Sequence, residues 1–291
     1  MRTAFLLLVA VAMMPGQTLH GIVDIHAHSD PDSVPRSIDA LSLVKLAKEK
    51  GYRGLVLKNH YESTAAWAAM ARAQTPGIEV FGGIALNRTV GGVNPAAVER
   101  MTRVQGGYGK VVWMPTFDAE NHVRVTKESR PFVSVSRGGK LLPEVLEVLD
   151  IIAKNKMVLA TGHSSPEESL ILIREARKRG AAGIVVTHPL IKYAGMNTAQ
   201  MKEAAHLGAM LEFVCNAVLG INKEWEPDVY VRSMREVGFA NIVLSSDYGQ
   251  KGNPLHPDGM VEIFRLLRAR GVTEAEINLM AKQNPSKLLG M

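Results

Sequence analysis

Short apolar runs and longer segments of helical periodicity follow one another along the whole chain. The first run, Gly21 to Asp30, alternates apolar and polar side chains, which is typical of a β-strand. In the next segment, Ser37 to Lys50, apolar residues recur at helical spacing, and Gly51 follows as a stop signal. This order of strand and helix continues to the end of the chain, so the sequence predicts a protein built from repeated strand-helix units.

Seven further strands are predicted after the first. They are Arg53–Lys58, Glu79–Leu86, Lys110–Pro115, Met157–Thr161, Gly183–Thr187, Met210–Cys215 and Asn241–Ser246. Eight strands alternating with helices favour a parallel sheet closed into a (β/α)8 barrel of the TIM type, forming a single domain over residues 17–291. A doubly wound open sheet is the main alternative, but no Gly-x-Gly-x-x-Gly motif follows the first strand.

One long stretch, residues 116–140, lacks this rhythm and separates the fourth strand from the helix Pro143–Lys154. Long irregular loops in compact domains are often lids or binding loops, so we expect this one to lie over the C-terminal ends of the strands. Its basic residues outnumber its acidic ones. That excess suits an anionic substrate, although a solvated loop explains the same composition.

The composition is that of an ordinary globular protein, with 46% hydrophobic and 21% charged residues. The formal net charge is +6, but Lys and Arg are scattered beside Glu and Asp and form no basic run. Aromatic residues make up only 5% of the chain and do not alternate with basic ones. These features indicate a solvated surface and no nucleic-acid partner.

The N-terminal residues 1–16 differ from the rest of the chain. Arg2 precedes an apolar run from Ala4 to Met14, which Pro15 ends. The run is too short to cross a bilayer but suits the core of a signal peptide, so we expect export to the periplasm or beyond. The alternative is a cytoplasmic protein in which this segment covers the bottom of the barrel. The single Cys215 can form no internal disulfide and fits either compartment.

Residue types that bind metals follow the predicted strands. Strict alternation places Asp24, His26 and His28 on one face of the first strand. The others are His60, His163, His188 and Asp247, at the ends of the second, fifth, sixth and eighth strands. Because the C-terminal ends of barrel strands meet at one mouth, where catalytic groups gather, we predict that these side chains converge there.

Five short motifs occur in order from Asp24 to Gly290. They are Asp-Ile-His-Ala-His, Thr-Gly-His163, Thr-His188-Pro, Ser-Ser-Asp247 and Asn284-Pro-Ser-Lys-Leu-Leu-Gly. As an ordered set they resemble the amidohydrolase superfamily of metal-dependent hydrolases. The segments Leu57-Lys58-Asn59-His60 and Gly82-Gly83 to Arg88 further resemble a bacterial branch of that superfamily without an assigned substrate.

The resemblance implies metal-ligand roles for His26, His28, His163 and His188, and implies that Asp247 is both a ligand and the base that accepts a proton from bound water. A divalent ion can lower the pKa of its water to roughly 7, so that hydroxide attacks a polarised carbonyl or phosphoryl centre. The expected activity is therefore hydrolysis of an amide, ester, lactone or phosphoester in a small substrate. Imidazole-rich sites favour zinc, with manganese, iron or nickel as alternatives.

The sequence departs from the two-metal pattern of that superfamily at the fourth strand. A carboxylated lysine or a glutamate would bridge two metals there, but Lys110 lies at the wrong end of the strand. We therefore favour one ion over two, with Lys58 on the second strand as the alternative source of a bridging group and His60 as a further ligand or a substrate contact. A buried ammonium paired with Asp24 or Glu212 is the structural alternative for Lys58. Arg88 is a candidate for binding an anionic substrate group.

Other polar residues receive structural interpretations. Glu212 lies inside the seventh strand, where a charge needs a partner, and Cys215 is expected to pack in the core. His122 and His256 are expected to be solvated loop residues. Two other functions remain open: a metal-assisted decarboxylase or other lyase on the same site, which would release product without uptake of solvent oxygen, and a non-catalytic exported protein that binds a metal or solute.

Overall fold

The computed structural model describes residues 19–291, so the predicted signal peptide of residues 1–16 lies outside the described residues. Ten strands are present in this part of the chain: β1 Val23–His28, β2 Gly54–Lys58, β3 Glu79–Ala85, β4 Gly109–Trp113, β5 Ser136–Arg137, β6 Lys140–Leu141, β7 Val158–Ala160, β8 Gly183–Val186, β9 Met210–Val214 and β10 Ile242–Ser245. All except β5 and β6 form one eight-stranded sheet in the order β1-β2-β3-β4-β7-β8-β9-β10, with neighbours parallel.

Helices connect these strands. They are α1 Ala40–Glu49, α2 Ala65–Gln74, α3 Pro95–Thr102, α4 Glu120–Val125, α5 Pro143–Lys154, α6 Pro166–Lys178, α7 Thr198–His206, α8 Pro227–Val237, α9 His256–Arg268, α10 Glu274–Asn278 and α11 Asn284–Leu289. The Ser165 side chain and Glu168 form a capping box at the start of α6. Among the described residues, no helix combines the length and the apolar character needed to cross a lipid bilayer.

The sheet closes where the chain after β10 runs beside β1. The Asp247 amide donates to the His26 carbonyl at 2.9 Å, and the His28 amide donates to the Tyr248 carbonyl at 2.9 Å. These bonds join the last strand to the first, which gives the predicted (β/α)8 barrel. The prediction of a single-domain TIM-type fold is confirmed.

Two apolar clusters reflect the alternation of side chains along the strands. The larger cluster packs the outer faces of the strands against the helices. The smaller one takes residues from nearly every barrel strand, including Val56 and Trp113, and fills the barrel interior. Leu289 of α11 belongs to this inner cluster, so the C-terminal helix closes the end of the barrel at which the strands begin.

Gly83 in β3 makes room for the Trp113 ring. A Cβ at this glycine would lie 2.4 Å from the Trp113 Cζ3 atom and 2.3 Å from the Val111 carbonyl oxygen, so no larger residue fits without displacing β4. The Trp113 ring lies under the Lys58 ammonium, whose nitrogen is 5.1 Å from the ring centroid. The glycine therefore makes room for the ring that contacts Lys58.

The predicted alternation along β1 is wrong at Asp24. The pairing of β1 with β2 shifts between Asp24 and Ala27, which face Leu55 and Leu57 respectively, so β1 contains one more residue than its partner there. This β-bulge reverses the phase of the strand. Asp24 turns away from the two histidines, and its Oδ1 accepts hydrogen bonds from the amides of His26 and Ser246, both at 3.1 Å.

Residues 116–140 are not uniformly irregular as predicted. They contain the short helix α4 and the strand β5, which pairs with β6 as a small hairpin. Residues of this segment, including Phe117 and His122, contact the histidines at the C-terminal end of the barrel. The segment therefore contributes to the wall of the candidate site.

Candidate metal centre and active site

Three predicted ligands meet at the C-terminal end of the barrel. One donor atom each from His26, His28 and Asp247 lies within 4.8 Å of the other two. Asp247 Oδ1 is 3.0 Å from His26 Nε2 and 3.2 Å from His28 Nε2. All three side chains are buried. Two imidazoles and one carboxylate aimed at a common point form a donor set suited to a divalent transition metal.

Glu212 orients His26 for this role. Its Oε1 lies 3.0 Å from His26 Nδ1, and it also accepts a hydrogen bond from the Ser245 hydroxyl at 2.7 Å. The other oxygen accepts from the His188 amide at 3.3 Å. A carboxylate that holds Nδ1–H leaves the Nε2 lone pair of the same ring for a metal. Glu212 was predicted to be a structural residue with a buried partner. That partner is His26, one of the three converging ligands.

Lys58 is the buried cation of the site. Its ammonium nitrogen lies 2.8 Å from His26 Nε2 and faces the cavity. Burial lowers the pKa of Lys58 to about 8, while the negative charges of Asp247 and Glu212 oppose this. The closest contact of Lys58 is therefore His26 rather than the predicted Asp24 or Glu212.

The carboxylates of Asp247 and Glu212 and the ring of His26 shift one another's pKa values. Burial favours the neutral His26 ring, but the negative charges of Asp247 and Glu212 outweigh it and raise the pKa of His26 to about 9. Burial also favours the neutral form of Asp247, but contacts with His26 and His28 hold the pKa of Asp247 well below its usual range. Asp247 is therefore a carboxylate.

His163 and His188 line the same cavity without joining the group of three. Their ring centroids are 5.1 Å apart, and the His188 centroid is 6.0 Å from that of His26. The Nδ1 atom of His188 is buried without a hydrogen-bond partner. Burial lowers the pKa of His188 to about 4, so the ring is neutral and can act as a ligand.

Two strand ends adopt unusual backbone conformations at the site. His188 has φ 24° and Asp247 has φ 51°, in a region that residues other than glycine rarely occupy. Such strain persists where surrounding contacts hold it, and it is concentrated at functional sites. Here it turns both side chains at the point where each strand gives way to its loop.

His60 stands in the wall of the cavity. Its Nδ1 lies 2.9 Å from the Thr116 hydroxyl, and its ring stacks on His28 with centroids 4.8 Å apart. The Phe117 ring also packs against His60, with ring centroids 4.2 Å apart. His60 is thus adjacent to the donor group, in a position that suits a substrate contact.

His122 and His256 are buried, so the prediction that both are solvated is wrong. His122 belongs to α4, and its Nδ1 lies 2.8 Å from His163 Nδ1, which leaves His163 Nε2 for the cavity. Burial lowers the pKa of His122 to about 4. His256 is the first residue of α9. His122 lies in a helix of six residues, too short for a periodic pattern, and His256 is only the first residue of its helix, so neither burial was predicted.

The cavity has a volume of about 470 Å³, which suits a small molecule. Its wall also contains Asn216, whose Nδ2 is 3.5 Å from Asp247 Oδ2. Arg88 is exposed on the turn after β3 and does not line this cavity, so its predicted contact with substrate finds no support in the fold. The arginine that does line it is Arg36, from the connection between β1 and α1.

Comparison with known protein families gives a match over most of the chain. The model of the DUF6282 family, a family of unknown function, matches residues 21–212. The chain belongs to the DUF6282 family. The matched part of this DUF6282 protein contains four of the predicted histidine ligands and Glu212, and Asp247 lies beyond it. No functionally curated protein shows significant similarity to the chain.

Solved structures share the fold of this DUF6282 protein at low sequence identity. An organophosphorus hydrolase from Deinococcus radiodurans is 16% identical, with a TM-score of 0.62 over 94% of this chain and 93% of that one. A protein engineered for organophosphate hydrolysis from a weak promiscuous lactonase template is also 16% identical, with a TM-score of 0.62 over 94% of this chain and 97% of its own. At this identity the likeness establishes the barrel alone.

Proposed function

We propose that this protein is a metal-dependent hydrolase of the amidohydrolase type, which uses water to cleave an ester, lactone, amide or phosphoester bond in a small substrate. The observation that carries this proposal is the convergence of His26, His28 and Asp247 within 4.8 Å at the mouth of the barrel. The names of the two structural neighbours, an organophosphorus hydrolase and a protein built on a lactonase, favour the ester, lactone and phosphoester members of this group.

The residues present fit a metal ion. Glu212 fixes His26 so that its Nε2 faces the other two ligands, His28 and Asp247. His188 offers a buried Nδ1 that has no protein partner. One ion held by His26, His28 and Asp247, with His188 as the nearest further imidazole, accounts for these donors. Zinc suits neutral nitrogen donors with one carboxylate, and manganese, iron and nickel are the alternatives.

Each neighbouring residue has a defined task in hydrolysis. A divalent metal in this site would polarise the substrate and make a water molecule more acidic. Asp247, held as a carboxylate, accepts the proton of the attacking water. The Lys58 ammonium lies beside the metal ligand His26. From there it can donate a hydrogen bond to the substrate oxygen on which negative charge develops. Phe117 and His60 form a wall that limits the access of bulk water.

Metal analysis tests the proposal. We expect purified protein to contain about one divalent ion per chain, and we expect prolonged dialysis against a chelator to abolish hydrolysis of a panel of aryl esters, lactones and phosphotriesters. Zinc or manganese should then restore the activity, while parallel dialysis without chelator should leave it unchanged. Two ions per chain would contradict the single-ion site, and full activity in protein shown to be free of metal would contradict the proposed function.

Replacing Glu212 with glutamine should weaken the affinity for zinc roughly 10- to 100-fold, because partners that orient metal-binding histidines contribute about this much. Glutamine can still accept the hydrogen bond from Ser245, but it lacks the charge that fixes the His26 tautomer. Competition with a chromogenic chelator measures the effect. The matched control is Glu147→Gln, on the exposed side of α5, which should bind zinc as the wild type does. Equal affinities for all three proteins would contradict the orienting role.

A further inference from the structure

Arg36 is held rigidly at the edge of the cavity by the connection between β1 and α1. Its amide donates to Asp30 Oδ1 at 3.2 Å, and its backbone forms an isolated antiparallel bridge with Gln250 on the loop after β10. The next residue, Ser37, donates its amide to the Gly249 carbonyl at 2.8 Å. Arg36 is therefore fixed between the two loops that follow the first and last barrel strands.

Only one edge of the Arg36 guanidinium is satisfied. Its Nε and Nη2 both approach Asp32 Oδ2, at 2.7 and 2.6 Å, and the Asp32 side chain is fully buried. The Arg36 side chain is itself only 4% exposed. In the part of the chain that the structure describes, Nη1 has no hydrogen-bond acceptor, although Arg36 lines the cavity. A guanidinium has five N–H donors and Asp32 takes two of them, so three remain that can donate to a ligand or to water.

The cavity wall around Arg36 is basic. Lys58, Lys192 and Lys223 also line the cavity, against the acidic Glu224 and Asp247, and Lys223 forms an ion pair with Glu226 at 3.0 Å. Glu224 is engaged, because its Oε2 accepts a hydrogen bond from the Lys192 amide at 2.9 Å. Arg36 lines the same cavity as His28, His60 and Asp247, so one small ligand can reach both Arg36 and the proposed metal ligands.

We propose that Arg36 binds a carboxylate of the substrate through its free Nη1 edge, so that the enzyme hydrolyses small carboxylic acids that carry a second, cleavable bond. The inference rests on the proposed hydrolytic function and specifies its substrate class. The planar guanidinium matches a planar carboxylate in two parallel hydrogen bonds. Asp32 holds the guanidinium by its Nε edge and leaves the opposite edge free for the ligand.

Calorimetric titration with glutarate tests this directly, on protein dialysed against a chelator so that no metal can bind the ligand. Glutarate should bind the wild type, and its diamide should bind at least 10-fold more weakly. The variant is the double substitution Asp32→Asn with Arg36→Gln, which avoids leaving a buried aspartate charge unpaired. It should bind glutarate roughly 10- to 100-fold more weakly, the usual effect of losing hydrogen bonds to a charged group.

Controls separate this inference from the proposed function. Arg103 forms an exposed ion pair with Glu99 and does not line the cavity, so Arg103→Met removes one surface charge and should bind glutarate as the wild type does. Thermal melting should show that the double variant remains folded. Inorganic phosphate is titrated in parallel, and tighter binding of phosphate than of glutarate would overturn the assignment to a carboxylate.

Kinetics provide the second measurement. In metal-loaded protein, kcat/KM for mono-4-nitrophenyl succinate should exceed that for its methyl ester, and the double variant should lose this preference. Equal binding of glutarate by wild type and double variant, or of glutarate and its diamide by the wild type, would overturn the Arg36 subsite even if esters are hydrolysed. Arg36-dependent binding without hydrolysis of either ester would instead count against the proposed function alone.

Discussion

Replacing Asp247 with asparagine is expected to lower the turnover of the metal-loaded enzyme roughly 1,000-fold. Asparagine keeps the size and the oxygen of the side chain but cannot accept a proton, and general bases contribute about 100- to 10,000-fold. The substitution also removes the negative charge that lies 3.0 Å from His26 Nε2 and 3.2 Å from His28 Nε2, so the affinity for the metal should fall as well. Steady-state kinetics at saturating metal separate the loss of the base from the loss of the metal.

Asp258→Asn is the matched control for this experiment. Asp258 lies on α9, which follows the same strand, and its side chain is exposed. This control variant should retain wild-type turnover and wild-type metal content. The asparagine at position 247 should leave the circular dichroism spectrum unchanged, because the backbone of this segment is held by hydrogen bonds to His26 and His28 of β1. Turnover by Asp247→Asn within a few-fold of wild type would contradict the role of Asp247 as the base.

The barrel could be predicted because the sequence patterns that specify its strands and helices are local and recur along the chain. Eight apolar runs separated by helical segments allow few architectures, and the end of each strand can be found to within a residue or two. That was sufficient to bring His26, His28 and Asp247 together, since they lie at the C-terminal ends of the first and last strands, which are neighbours only in a closed barrel. The topology, rather than any single motif, predicted this part of the site.

The orientation of β1 could not be predicted in the same way. Alternation along a regular strand would place Asp24 beside His26, but one extra residue between Asp24 and Ala27 turns the strand. A bulge depends on the fit between two strands that are distant in sequence, and no residue type in β1 signals it. The same bulge allows Ile25 to fill the barrel interior while His26 reaches the mouth.

Residues in short helices and in connections could not be placed from local sequence patterns either. The helix α4 has only six residues, too few for a periodic pattern, so the burial of His122 against His163 was missed. Arg36 lies in a connection whose course is set by hydrogen bonds to the loop after β10. Glu212 was the exception, because a single charge within an apolar strand signals a buried partner, although its identity as His26 required the fold.

Replacing Lys58 with methionine should lower kcat roughly 100- to 1,000-fold and change KM much less. A preorganised donor at a developing oxyanion contributes about this much to the transition state and little to substrate binding. Methionine preserves most of the buried stem over Trp113, so the fold should be retained. The melting temperature should stay the same or rise. The ammonium is buried beside His26, whose raised pKa favours a second positive charge next to it, so its removal relieves a repulsion.

A second substitution at the same position distinguishes the ammonium from a bridging group. If Lys58 were modified to a carboxylate that bridges two metals, Lys58→Glu would retain a comparable anion and would bind more metal than Lys58→Met. With an unmodified ammonium, glutamate instead adds a third carboxylate beside Asp247 and Glu212, and Lys58→Glu should be at least as inactive as Lys58→Met. Activity in Lys58→Glu well above that of Lys58→Met, together with two metal ions per chain, would contradict the ammonium role and favour a two-metal site.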